Sequence, residues 1–206
     1  NTQNQYITKL RKKFGWSESE EYWNGQKEFE KHKSKFFSVG DLSVSYNDLL
    51  LGYSLDLKGS EYYTIYIRQI SDQKIIEEEI KDTSGDIDWA LDDSCFYYSK
   101  LDDKHRCKTI YRHRLGTSQK EDELIFEEKL EQFTVSFGLT SDEKFHLIGS
   151  SDHDSTEVYY FDAKDKNSKP KLFKKREENI KYSVDSWKEF FYVHTNNCLL
   201  YTSPSP

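Results

Sequence analysis

The stretch DLSVSYNDLLLGYSLDLKGSEYYTIYIR, residues 41–68, decides the fold of this chain. Its apolar residues alternate with polar ones, and many of its side chains are β-branched or aromatic, a pattern typical of β-strands. The predicted strands are 41–46, 49–56 and 62–68. The Asn47-Asp48 pair and the loop 57–60 supply the turn residues between them. The stretch therefore predicts three consecutive strands joined by tight connections.

This pattern returns twice further along the chain. Ile65-Tyr66 reappears as Ile110-Tyr111 at a shift of 45 residues, and Tyr111 matches Tyr159 at a shift of 48. A period in the forties that consists only of strands is typical of β-propeller blades, which have four strands each. The sequence thus predicts an all-β repeat protein that forms part of a β-propeller.

The repeats divide the chain into three whole blades and two partial ones. The whole blades are predicted at 36–81, 82–129 and 130–176, and a partial one begins with strands 180–184 and 190–195. The outer strand of the first blade is expected at 74–81, and the first strand of the second at 86–91. Before them, a strand at 6–13, a short strand at 21–23 that enters a turn at Asn24-Gly25, and a charged surface connector at 26–35 with about one helical turn fit an incomplete blade.

Composition excludes several classes of function. The net charge of −7 and the pI near 5.5 argue against nucleic acid or an anionic membrane as the main partner. No run approaches the roughly 18 apolar residues of a membrane helix. Cys95, Cys107 and Cys198 lack paired spacing, which favours free thiols in a reducing cytoplasm over disulfides or a metal site.

Two features suggest that the sequence is a piece of a longer protein. It contains no methionine and begins at Asn1, which predicts a fragment or a processed chain. The last segment, CLLYTSPSP at 198–206, breaks the repeat and resembles the translation of a cloning adaptor. We therefore expect an incomplete propeller domain at 1–197 and a non-native tail at 198–206.

No hydrolytic site is expected within this sequence. A nucleophile elbow requires Gly-x-Ser-x-Gly, because only small neighbours fit its strained turn. No two of the nine glycines lie four residues apart. We predict no catalytic, cofactor-binding or metal-binding residue in this chain.

Asp152-His153-Asp154 is the cluster that most resembles a site, because Asp and His side chains could hold a metal or exchange protons. However, His153 corresponds to His105 at a shift of 48, a position where two strands of a blade would be joined. A polar hairpin tip explains both residues, and we favour that interpretation.

Charged and aromatic runs also allow two readings. His113, with Arg112 and Arg114, could give a basic face, but cross-strand pairing with the acidic strand 123–128 is favoured. The basic run 164–176 is expected to be a solvated outer edge. Rows of aromatic residues could stack nucleic acid bases, yet packing between blades accounts for them more simply. The rows are Tyr62, Tyr63 and Tyr66; Phe96, Tyr97 and Tyr98; and Tyr159, Tyr160 and Phe161.

Several segments resemble the N-terminal propeller of the oligopeptidase B group in the prolyl oligopeptidase family of serine peptidases. They include FFSVGDLSVSYNDLLLGYSLD, SEYYTIYIR, IDWALDDSCFYYSKLDD, FEEKLEQFTVSFGLTSDEKFHLIGSS and IKYSVDSWKEFFYVHTN. The most specific is YRHRLGT at 111–117, and the resemblance covers about residues 6–197.

The resemblance implies a seven-bladed propeller that covers an α/β-hydrolase domain and admits only short peptides to its Ser-Asp-His triad. It also implies cleavage after Lys or Arg. None of the triad or specificity residues can be placed on this sequence, so the matched residues would serve as scaffold and gate. A stand-alone propeller for protein interactions is the alternative, although the blades lack the Gly-His and Trp-Asp signature of WD repeats.

Overall fold

A computed structural model describes residues 23–76, 79–165 and 167–197. Apart from one α-helix and a 3-10 helix at Gln119–Glu121, the regular elements of these ranges are β-strands. The helix is α1, Gly25–His32. The strands are β1 Ser38–Val44, β2 Leu50–Asp56, β3 Tyr63–Gln69, β4 Ile80–Thr83, β5 Asp88–Trp89, β6 Cys95–Leu101, β7 Cys107–Arg114, β8 Glu123–Glu127, β9 Thr134–Leu139, β10 Phe145–Ser151, β11 Thr156–Asp162, β12 Lys171–Lys174, β13 Tyr182–Trp187 and β14 Phe190–Thr195.

The strands form successive antiparallel blades, so the predicted partial β-propeller is confirmed. The first blade is β1–β4, the second β5–β8 and the third β9–β12, and strands adjacent in sequence are paired in each. The strands β13 and β14 form a two-stranded sheet that begins a fourth blade. A single pair, Thr83 with Lys100, joins the first two blades into one sheet.

The apolar core lies between neighbouring blades. One buried cluster joins the first and second blades and includes Ile65, Ile67, Trp89, Phe96 and Tyr98. Another joins the second and third and includes Tyr97, Ile110, Val135, Ile148 and Phe161. Each blade thus buries its faces against the next, as expected for a repeat protein.

The connector predicted at 26–35 lies at the surface, but its helix is longer than the one turn that was expected, because α1 covers residues 25–32. Asn24 is the N-cap residue, and its side chain accepts a hydrogen bond from the Lys27 amide at 3.0 Å. Glu28 lies in the first turn and His32 in the last, where their charges suit the helix dipole. The Asn24-Gly25 pair is therefore a helix start and not a turn. Among the described residues, those up to Lys35 belong to one compact unit and those from Phe36 onward belong to another.

Two strand boundaries also differ from prediction. The outer strand expected at 74–81 is β4 at Ile80–Thr83, and only a bridge between Arg68 and Ile75 precedes it. The strand expected at 86–91 is shortened to Asp88–Trp89, because the Ile87 amide bonds to the Asp41 carboxylate instead of a strand partner. The strand predicted at 6–13, most of the one at 21–23, and the tail at 198–206 lie outside the described residues.

Candidate functional site

The first strands of neighbouring blades are joined by hydrogen bonds to carboxylates and carbonyls. Asp41 accepts from the Ile87 amide at 3.1 Å, and the Trp89 indole donates to the Ser43 carbonyl at 3.1 Å. Asp93 accepts from the Tyr46 amide at 2.7 Å. These bonds fix the second blade beside the first along their first strands.

A similar connection joins the third and fourth blades. The Ser141 amide donates to Asp185 at 2.8 Å, and the Ser186 hydroxyl donates to Asp142. The bonds from Ser141 hold the pKa of the Asp185 carboxyl below its usual value. The Asp185 carboxylate therefore stays ionised under mildly acidic conditions and continues to accept these hydrogen bonds.

The junction between the second and third blades is aromatic. The rings of Tyr97 and Phe137 stack with centroids 4.7 Å apart, and those of Phe126 and Tyr159 lie 4.8 Å apart. At the next junction Phe191 packs 5.1 Å from Phe145. The aromatic residues at these junctions are packed between blades, which confirms the predicted role of Tyr97 and Tyr159.

The second blade encloses a buried polar network. His113 Nδ1 lies 2.7 Å from Asp122 Oδ1, and the Tyr98 hydroxyl donates to Asp122 Oδ2 at 2.6 Å. Burial, together with this bond to Asp122, raises the pKa of Tyr98. Arg112 forms an ion pair with Glu123, its cross-strand neighbour, so the predicted pairing with the acidic strand is confirmed. A basic face at this strand is excluded for Arg112 and His113, which are buried.

A groove of about 860 Å³ lies between two connecting segments, one before the third blade at 128–133 and one after it at 175–179. At its wall the Arg176 guanidinium donates to Glu128 at 2.6 Å and to the Ser150 hydroxyl at 2.8 Å. The same guanidinium lies over the Phe133 ring. Burial acts to raise the pKa of Glu128, but the bonds from Ser150, the Leu130 amide and Arg176 outweigh it and lower that pKa.

The expectation of a solvated edge for 164–176 is therefore incomplete. Two of the four residues of the outer strand β12 are exposed, but the side chain of Arg176 is only 16 % exposed. Through its contacts with Glu128 and Phe133, Arg176 holds the segment that follows β12 against the residues at the start of the third blade. No simple sequence signal separates this arginine from its basic neighbours.

The cluster Asp152-His153-Asp154 is a hairpin tip between β10 and β11, as predicted. Asp152 accepts hydrogen bonds from the Asp154 and Ser155 amides at 2.9 and 2.7 Å. These hydrogen bonds lower the pKa of the Asp152 carboxyl. They also close the turn in which Asp152 lies. His153 and Asp154 are exposed. Asp152 is thus a turn residue and not part of an assembled acid-base pair.

The described residues contain neither a metal-binding cluster nor a disulfide. Within 23–76, 79–165 and 167–197, no group of three or more His, Cys, Asp or Glu side chains is placed to hold a metal ion. Cys95 and Cys107 are free thiols, and Cys198 lies outside the described residues. None of the helices in the described ranges has the length and apolarity that a membrane crossing requires.

Successive four-stranded blades joined through their first strands define a β-propeller segment. A sequence model of the prolyl oligopeptidase N-terminal beta-propeller domain matches residues 4–201. The chain belongs to this family of propeller domains.

Curated relatives include several peptidases. The chain is 29 % identical over 148 residues to Protease 2 of Moraxella lacunata, which covers 71 % of the chain and 21 % of the relative. It is 27 % identical over 165 residues to dipeptidyl aminopeptidase BI of Pseudoxanthomonas mexicana, covering 78 % of the chain and 22 % of that relative. The chain thus spans about a fifth of the length of these relatives.

Solved structures agree with this assignment. Oligopeptidase B from Leishmania major superposes with a TM-score of 0.81 and 25 % identity, covering 86 % of this chain and 25 % of that one. Oligopeptidase B from Trypanosoma brucei, in a closed form with covalently bound antipain, gives a TM-score of 0.79 and 26 % identity over 89 % of this chain and 26 % of that one.

Proposed function

We propose that this chain is the non-catalytic propeller segment of an oligopeptidase B-like serine endopeptidase. The similarity to oligopeptidase B from Leishmania major, at a TM-score of 0.81 over 86 % of this chain, is the observation that carries the proposal. In this proposal the parent enzyme hydrolyses short peptides after Lys or Arg. Its partner is an α/β-hydrolase domain in the same protein, its location is cytoplasmic, and residues 1–197 are the propeller part.

The mechanism assigned to this segment is selection by size. A propeller admits substrates through its central channel, so a rigid ring excludes folded proteins while short, extended peptides pass. Two features support rigidity here. Hydrogen bonds to carboxylates join neighbouring blades, as where the Ile87 amide donates to Asp41, and neighbouring blades share buried apolar cores. The acyl transfer itself would occur at a Ser-His-Asp triad outside this chain.

The alternative function is that of a stand-alone propeller that binds other proteins. It needs no hydrolase domain, and the solvent-exposed hairpin tips of such a propeller would form its binding surface. Catalysis by the complete gene product distinguishes the two functions.

The test is to express the full-length product of the gene that encodes this chain and to map its cleavage sites in a peptide mixture by mass spectrometry. We expect cleavage after Lys and Arg in short peptides, and no cleavage of the same sequences inside a folded protein. Cleavage without a preference for basic residues would refute the specificity. Equal cleavage of the same sequences inside a folded protein would refute selection by size. A full-length product that hydrolyses no peptide would refute the peptidase function and favour the stand-alone binding propeller.

A further inference from the structure

A small pocket of about 150 Å³ lies where the first strands of three blades meet. Tyr46 contributes from the first blade, Asp88 and Trp89 from the second, and Leu139 and His146 from the third. At about 30 Å³ for each water molecule in the liquid, this volume suits roughly one side-chain head group. We call it the first-strand pocket.

His146 is the first unusual group on its wall. The residue is 2 % exposed, and neither ring nitrogen has a hydrogen-bond partner among the described residues. Its ring is enclosed by those of Tyr97 at 4.9 Å, Phe137 at 5.1 Å and Phe161 at 5.0 Å. Burial lowers the pKa of His146 to about 4, so at neutral pH the ring is uncharged and one nitrogen is a hydrogen-bond acceptor. Buried polar groups without partners are rare and require an explanation.

Asp88 is the second unusual group. Burial raises the pKa of its carboxyl to about 7, and the carboxylates of Asp86 and Asp41 act in the same direction, with no hydrogen bond contributing. Asp41 is already an acceptor for the Ile87 amide. Asp88 therefore has acceptor capacity that no described group uses.

Each of the three blades that form this pocket contributes at least one carboxyl group to its surroundings. The pKa of Tyr46 is raised by burial and then by the carboxylates of Glu143, Asp88 and Asp93. Asp41 and Asp86 face Asp88 from the first strand and from the residues before β5. Several carboxyl groups therefore surround one cavity with aromatic walls, and its potential favours a cation.

We propose that the first-strand pocket binds the guanidinium or ammonium group of a basic peptide side chain. Such a group carries several N–H donors, and it would donate to the carboxylate of Asp88 on the pocket wall. The rings of Trp89 and Tyr46 on the wall favour a cation further. The inference rests on the proposed function, in which basic peptides pass through the propeller, and it adds a site where the propeller itself recognises them.

Binding a cation at this site is coupled to a proton. A positive charge beside Asp88 favours the ionised carboxylate, so binding releases a proton when the free carboxyl is partly protonated near pH 7. Affinity should therefore rise as the pH increases from about 6 to about 8. His146 stays neutral in that range and therefore adds no positive charge that would oppose the ligand.

The test uses calorimetric titration of the 206-residue chain with Nα-acetyl-arginine amide. The matched probe is Nα-acetyl-citrulline amide, which has nearly the same shape and no charge. We expect the arginine probe to bind at least about tenfold more tightly, because hydrogen bonds to charged groups are the stronger ones. Heats measured in buffers of different ionisation enthalpy should reveal proton release near pH 7.

Variants locate the binding site. Asp88→Asn should weaken binding of the arginine probe by about tenfold or more, and Asp103→Asn, at an exposed hairpin tip, should not change it. If Asp88→Asn does not fold, Val44→Lys offers a second route. Val44 lines the pocket and is 41 % exposed, so a lysine there should repel the probe without disturbing the core.

Three results would overturn the assignment: equal binding of the two probes, no binding of the arginine probe, or unchanged affinity in both Asp88→Asn and Val44→Lys. None of them depends on hydrolysis. Specific binding by this chain, combined with a full-length product that cleaves no peptide, would support the pocket and refute only the peptidase function. Cleavage after basic residues by the full-length product, without binding of the arginine probe to this chain, would support the peptidase function and refute the pocket.

Discussion

Asp122→Ala tests whether the buried polar network stabilises the second blade. Asp122 Oδ2 accepts from the Tyr98 hydroxyl at 2.6 Å, and Asp122 Oδ1 lies 2.7 Å from His113 Nδ1. The side chains of His113 and Asp122 are 0 % and 2 % exposed. Water therefore has little access to replace the lost acceptor, and both partners lose the group to which they bond.

The expected loss follows from those two contacts. A buried polar group that loses its partner destabilises the folded state by about 1–3 kcal/mol. Two such groups give a loss of roughly 2–6 kcal/mol. Because domains are stable by only about 5–15 kcal/mol, this loss is large enough to measure by urea unfolding followed by circular dichroism.

Asp103→Ala is the matched control, because Asp103 lies in the same blade at an exposed hairpin tip. Its unfolding free energy should stay within about 0.5 kcal/mol of the parent chain. A His113→Ala variant completes a double-mutant cycle with Asp122→Ala, and we expect a coupling of about 0.5–3 kcal/mol. If Asp122→Ala is as stable as the control, the network does not stabilise the blade and the reasoning fails.

Two further predictions concern stability. Burial lowers the pKa of His146 from 6.5 to about 4. Between these two pH values the unfolded chain binds more protons than the folded chain. The contribution of His146 to the free energy of unfolding therefore falls as the pH decreases from about 6.5 to 4. The full loss in the free energy of unfolding is on the order of 3 kcal/mol. His146→Phe should lose less stability than the parent chain over that pH range in urea unfolding. Identical pH profiles of the two proteins would contradict this prediction. A methyl group at Gly40 would lie 2.5 Å from Ser54 Oγ and 2.8 Å from a Tyr63 ring carbon, whereas one at Gly138 would meet no atom within 4 Å. Gly40→Ala should therefore destabilise the chain by about 1–3 kcal/mol and Gly138→Ala should be neutral or stabilising, and the reverse order of their unfolding midpoints would refute the packing argument.

The strand order could be predicted from sequence because it depends on local patterns that repeat. Tyr66, Tyr111 and Tyr159 lie on β3, β7 and β11, the third strand of each whole blade. The repeat therefore aligned the strands and also placed the polar hairpin tips, including His105 and His153. Aromatic packing between blades followed from the need of each repeat to bury its faces.

Other features depend on contacts that a sequence pattern does not contain. The N-cap role of Asn24 was masked by the following glycine, which is also typical of turns, although Asn is a favoured N-cap residue. The Asp122 contacts with His113 and Tyr98 join separate parts of the blade. The position of Arg176 over Phe133 joins residues 43 positions apart. Asp88 and His146 line one pocket only because three blades converge there.

The central proposal is that this segment is the scaffold of a serine peptidase whose nucleophile lies outside residues 1–206. The most direct test is to treat the 206-residue chain and the full-length gene product in parallel with a fluorophosphonate reagent, and then to measure hydrolysis of Arg- and Lys-containing peptides. We expect one labelled serine in the full-length product, outside residues 1–206, with hydrolysis abolished by the label. The isolated chain should be neither labelled nor active. A labelled serine within this segment, or a full-length product without hydrolytic activity, would contradict the claim.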